Sequence, residues 1–128
     1  MLKPIIINLT QHPATPEQIA GGVFDLQGRG LEALKALLTF DTLPTTAEVA
    51  TRAEAIAVLS LASEWETSHA MVGGAPFLMA PLAAALAARG TRALYAFSVR
   101  ESVETVQPDG SVRKVAVFRH GGFVGGGL

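Results

Sequence analysis

His69-Ala-Met-Val72-Gly-Gly-Ala-Pro76-Phe-Leu-Met-Ala-Pro-Leu-Ala-Ala-Ala-Leu-Ala-Ala-Arg89-Gly90-Thr-Arg-Ala-Leu94-Tyr-Ala-Phe97 decides the fold. Residues 70–72 form a short apolar run that ends on Gly73-Gly74, as a buried strand does when it enters a tight turn. Pro76 suits the first turn of a helix, where its missing N–H costs nothing. Arg89-Gly90 suits the end of that helix, with a cation in the last turn and glycine after it. Residues 94–97 then return as a second strand. A strand, helix and strand at this spacing predict a right-handed crossover between parallel strands. In such sheets ligands sit beyond the carboxyl ends of the strands.

Composition sets the outer limits. The chain has 128 residues, 49% hydrophobic and 16% charged, which predicts one domain with a packed core and little disorder. Alanine supplies much of the apolar content, so helices should approach closely. A net charge of -1 and a pI near 6.3 argue against a broad basic surface for duplex nucleic acid. A small anion held by two or three positive groups fits. The absence of cysteine excludes disulfides, thiolate zinc sites and cysteine nucleophiles. The start of the chain lacks a signal-peptide pattern, and the apolar run at 75–88 is too short for a membrane span and carries two prolines. A cytoplasmic protein with no membrane partner is the expectation.

Outward from the central unit, residues 4–9 read as a central strand buried on both faces. A loop follows at Asn8-Leu-Thr-Gln-His12-Pro13, and Thr15-Pro-Glu-Gln18 reads as a helix start. Gly21, Gly22, Gly28 and Gly30 obscure the next section. Leu31, Leu34 and Leu38 have helical spacing, while residues 36–40 also fit a short strand; both readings stay open. Thr45-Thr-Ala-Glu48 fits a capping box opening a helix to about Ser63, with Val49, Ile56 and Leu59 or Leu61 on its apolar face and Trp65 just beyond. Near the end, residues 103–106 and 112–118 flank Pro108-Asp-Gly110, the signature of a hairpin. The glycine-rich residues 121–128 are expected to fray. The predicted architecture is α/β: a single domain over residues 1–128 with a mostly parallel sheet, helices on both faces and a C-terminal antiparallel hairpin.

Three loops should converge at the strand ends: residues 8–14, 73–76 and 98–102. The first offers Asn8, Thr10, Gln11 and His12 for a nucleotide or phosphate; alternatively Asn8 and Thr10 cap the loop and His12 is simply exposed. Gly73-Gly74 leads into a helix N-terminus, which favours an anion, although a tight turn accounts for the pair equally well. With Asp109-Gly110 as a two-residue turn, Arg119 faces Arg100 and His120 faces Val99. Two adjacent arginines call for an anion between them; a register shift by one residue would undo the pairing. His69 reads as structural. No metal-ligand spacing and no nucleophile elbow stands out.

Asn8-Leu-Thr10-Gln-His12, Thr15-Pro-Glu-Gln18, Leu94-Tyr-Ala-Phe-Ser98-Val-Arg100-Glu-Ser-Val-Glu and Pro108-Asp-Gly-Ser-Val-Arg-Lys-Val-Ala-Val-Phe-Arg119-His120 together resemble the small CRISPR-associated proteins of the CARF type. Stand-alone ring nucleases that degrade cyclic oligoadenylate, the messenger of type III CRISPR defence, belong to that group. The resemblance covers both ends of the chain and the C-terminal third. It implies a Rossmann-like homodimer with cyclic oligoadenylate, the tetra-adenylate above all, across its two-fold axis. The implied reaction needs no metal and no cofactor: a ribose 2′-OH attacks the neighbouring phosphorus and leaves a 2′,3′-cyclic phosphate. Carried onto this chain, Asn8, Thr10, Gln11, Gly73 and Gly74 would hold the ligand. Arg100, Ser98 and His12 would act at the scissile phosphate, with Arg119 or His120 in support. A module that binds the nucleotide without cleaving it, and an interaction protein with purely structural glycine turns, are the competing expectations.

Overall fold

The computed structural model describes residues 5–61 and 67–125. Within them the elements run β1 (Ile6–Leu9), α1 (Pro16–Ala20), β2 (Val23–Asp25), α2 (Gly28–Leu38), α3 (Thr46–Leu61), β3 (His69–Val72), α4 (Pro76–Ala87), β4 (Arg92–Val106) and β5 (Val112–Gly125). The five strands form one sheet in the order β2-β1-β3-β4-β5. The first four run parallel and β5 is antiparallel to β4, so the sheet is mixed. The crossover read from residues 69–97 is present: β3 pairs with β4 in parallel, with α4 between them.

Handedness explains where the helices lie. The step from β1 to β2 runs one way along the sheet, and the steps to β3 and β4 run the other way. Right-handed crossovers therefore place α1 on one face and α2, α3 and α4 on the opposite face. The larger core follows: Ile7, Leu9, Ala70 and Val72 of the sheet pack against Leu34 and Leu38, Ile56 and Ala57, and Leu78 and Leu82. Alanines at 53, 57 and 85 are nearly or fully buried and let α3 and α4 close on each other. Arg89 ties α4 back to α3 through Glu54 at 2.6 Å. On the other face a smaller cluster of Ile6, Val23, Met71 and Leu94 is covered by Ala14 and Phe123. Helices do stand on both faces, but one face carries only the five residues of α1.

Local signals account for most boundaries. Thr15 caps α1, with the Gln18 side chain returning the bond. The Thr45 hydroxyl accepts from the Glu48 N–H, and Ile56 and Leu59 rather than Leu61 face the core; Leu61 is exposed. Residues 36–38 complete α2, and residues 39 and 40 leave it as loop. Arg52 of α3 fixes that exit, donating to the carbonyl of Thr39 and lying over the Phe40 ring at 4.3 Å. The expectations for residue 4, Ser63, Trp65 and residues 126–128 fall outside the described residues.

Two expectations about the hairpin are corrected. The loop spans residues 107–111, not a two-residue turn: the Gln107 N–H donates to Ser111 at 2.7 Å and the Gly110 N–H to Gln107 at 2.9 Å. Asp109 accepts from the Ser111 hydroxyl and N–H, which hold its carboxyl below the usual range. The longer loop slips the register by one, so Arg100 faces Phe118 and Arg119 faces Val99. Arg119 instead pairs with Glu101 at 2.6 Å. The two arginines lie on opposite faces and clamp nothing between them.

Residues 121–125, expected to fray, belong to β5; after a bulge at Gly121, residues 122–125 pair with residues 94–97 of β4. Gly125 has φ +145, and a Cβ there would stand 2.5 Å from the Ala93 carbonyl oxygen. Gly125→Ala is therefore expected to destabilise the fold by about 1–3 kcal/mol in urea unfolding. A frayed tail would leave the midpoint unchanged. Leu82→Ala, at a fully buried position in the larger core, should cost about 2–5 kcal/mol in the same assay.

Candidate functional site

The penultimate residue of β1 is a buried asparagine, and the loop at the carboxyl edge of the sheet hangs on it. Asn8, 3% exposed, lies beside Asp25 of β2 and Met71 of β3 on the α1 face of the sheet. Its amide donates to Asp25 Oδ1 and to the His12 carbonyl, both at 2.8 Å. Its Oδ1 accepts from the Thr10 N–H at 2.9 Å and from the Thr10 hydroxyl at 2.7 Å. Two donors and two lone pairs are thus all engaged within the protein. Asp25 in turn accepts from the Ala14 N–H at 3.1 Å. The loop is bent into a fixed wall, and Asn8 serves as its organiser.

Cavities open on both sides of that wall. Thr10, Gln11, His12 and Pro13 line each of them. The larger, about 490 Å³, lies over the ends of β1 and β3 and beside the first third of β4, and is completed by Gln18, Met71, Gly73, Gly74, Tyr95 and Ala96 among others. The smaller, about 230 Å³, lies beyond β2 and is completed by Asp25, Gln27, Leu31 and Lys35. Gln11 is steadied by its amide, which donates to the Thr39 hydroxyl at 3.1 Å. Gly74 takes φ +139, which requires glycine, and it delivers the chain into α4. Its N-cap, Ala75, gives no side-chain cap. Pro76 brings no N–H and the Leu78 N–H bonds the Ala75 carbonyl at 3.0 Å, so it is the Gly73-Gly74 turn, with the positive end of the helix dipole behind it, that meets the larger cavity.

Two of the three expected loops meet here. Thr10, Gln11, His12, Gly73 and Gly74 share one cavity, as the strand order requires. The third contribution comes from Tyr95 and Ala96 instead of residues 98–102. Ser98 pairs with His120, and Arg100 and Arg119 lie further along the hairpin; none of these four lines either cavity. The His120 N–H donates to Glu17 at 3.3 Å and its ring meets Phe123 edge-on, so it joins the hairpin to α1. His69 is buried at the amino end of β3, with Nδ1 2.6 Å from the Ser68 hydroxyl, away from the crevice.

Asp25, Lys35, Gln18 and Tyr95 were missed. Lys35 had a signal: it stands four residues after Leu31 on α2, so the two share a helix face. Asp25 was hidden by the glycines around β2. Among the described residues no group of three or more His, Asp or Glu could hold a metal ion, and no helix is long and apolar enough to cross a membrane. Removing the Asn8 amide would leave buried partners unsatisfied on both sides. Asn8→Ala is expected to cost about 2–4 kcal/mol and to increase hydrogen exchange in residues 10–14. A variant with wild-type stability would show that the wall stands without it.

Comparison with known proteins gives one assignment. No curated protein and no solved structure matches the chain. The profile of the uncharacterized protein MJ1673 family matches residues 4–124, which takes in both cavities, the shared wall and the hairpin. The chain belongs to the uncharacterized protein MJ1673 family.

Proposed function

We propose that the larger cavity binds a cyclic oligoadenylate, of which the tetra-adenylate is the first choice, and that the protein opens the ring as a metal-independent ring nuclease on a Rossmann-like (CARF-like) fold in the cytoplasm. One observation carries the reading: His12 and the Gly73-Gly74 turn that leads into the uncapped α4 share a cavity beyond the carboxyl ends of β1 and β3. Such a cavity suits a phosphate at the helix end and bases along its half-apolar walls. The sequence resemblance supplies the ligand class.

The chemistry asks little of the protein beyond placement. The ribose 2′-OH gives up its proton and attacks the adjacent phosphorus, the bond to the 5′-oxygen breaks, and that oxygen takes a proton. The products are a 2′,3′-cyclic phosphate and a 5′-hydroxyl. His12 is the imidazole lining the cavity and would accept the first proton. Backbone N–H groups of the Gly73-Gly74 turn, with the α4 dipole behind them, would steady the phosphoryl oxygens. Arg100 and Ser98 have no place in this arrangement within one chain. One feature favours binding without cleavage: apart from Tyr95, His12 is the sole ionisable side chain lining this cavity among the described residues.

Incubation with cyclic tri-, tetra- and hexa-adenylate in EDTA should yield linear fragments ending in a cyclic phosphate. His12→Ala should lower turnover about 10²–10⁴-fold while affinity changes little. Intact rings accompanied by a thermal shift would identify a binding module. Intact rings without a shift would remove the nucleotide assignment.

A further inference from the structure

β4 continues far beyond the sheet that it joins. It pairs with β3 through Arg92, Ala93 and Leu94 only, yet extends to Val106. From Ser98 onward β5 lies along one edge and, among the described residues, no other strand lies along the opposite edge. Residues 98–106 and 112–120 thus form a two-stranded ribbon roughly 30 Å long at about 3.3 Å per residue. Its residues are exposed or only partly buried; Val99 is 41%, Val115 40% and Phe118 72% exposed. Two strands alone are marginal in water, and a free edge invites another strand.

We propose that the free edge of β4 pairs antiparallel with β4 of a second copy of this chain, about a two-fold axis at Ser102. The occupant follows from charge. β5 carries Arg113, Lys114 and Arg119 and no acidic residue, so two β5 edges would set like charges together. Over residues 98–106 β4 carries both signs, in Arg100, Glu101 and Glu104. A two-fold axis perpendicular to the ribbon keeps each face on its own side, so it must pass through a residue position. Centred on Arg100, Glu101 or Glu104, the pairing brings identical charges together. Centred on Ser102, it sets Arg100 opposite Glu104 of the other copy, twice over.

Both groups are open to that contact. Arg100 makes no ion pair among the described residues, and Glu104 faces Lys114 across the hairpin without an ion pair. Glu101, already bonded to Arg119, would meet a valine, Val103. The result is a four-stranded antiparallel ribbon in which the valines at 99, 103, 115 and 117 of both copies line one face. This contact does not depend on the ligand assigned above.

The chain has no cysteine of its own, so Ser102→Cys reads the axis directly. Under mild oxidation that variant should give a covalent dimer on a non-reducing gel, because residues directly opposite in antiparallel strands lie within disulfide reach. Val106→Cys should not, since Val106 would face Ser98. In light scattering the wild-type chain should show twice its 13.3 kDa mass. Arg100→Glu and Glu104→Arg should each weaken the dimer about tenfold or more, and the double exchange should restore it. A monomeric wild-type chain, equal cross-linking at both positions, or a double exchange no better than the single ones would overturn the pairing.

Discussion

The Asn8 side chain is the constraint on which the rest of the site depends. A buried amide between two parallel strands must satisfy four hydrogen-bonding positions, and here each partner does structural work. The bond to Asp25 locks β2 to β1, and the bonds to Thr10 and His12 reverse the chain over the sheet edge. Asp25 then anchors Ala14, which covers the smaller core. The same few atoms close a core and shape a wall, so packing and site geometry stand or fall together.

The sheet is unevenly dressed for a reason of handedness. Three helices bury one face deeply, whereas a five-residue helix and the returning end of β5 cover the other. On that thin side the smaller core borrows Phe123 from β5. Gly121 allows the strand to arrive: a Cβ there would stand 2.8 Å from Val99 Cγ2 and 3.0 Å from the Phe97 ring. The bulge at this point, next to the bond between His120 and Glu17, sets the direction in which the ribbon leaves the body.

Legibility in the sequence followed the range of the forces involved. Residues 69–97 could be read because glycine, proline and apolar run length act locally, and the crossover rule then fixes their pairing. The cap at Thr15 and the helix after Thr45 were readable for the same reason. β2 was not, since three residues between glycines carry too little periodicity. The hairpin register was lost at one point: Asp109-Gly110 signals a turn, but the bonds from Gln107 to Ser111 that lengthen the loop have no signature of their own. That single residue moved Arg100 and Arg119 to opposite faces. The end of β5 was misread because glycine content suggests freedom, whereas Gly125 is held where Ala93 leaves room for nothing larger. At the site, Thr10, Gln11, His12 and the glycine pair followed from strand order alone. Lys35 and Asp25 needed the fold of residues 21–38, which composition concealed.

The partition between the two cavities is one chain thick. Residues 10–13 have a side toward each compartment. A guest bulky enough to displace them would narrow the room on the far side, and the penalty would be equal whichever chamber filled first.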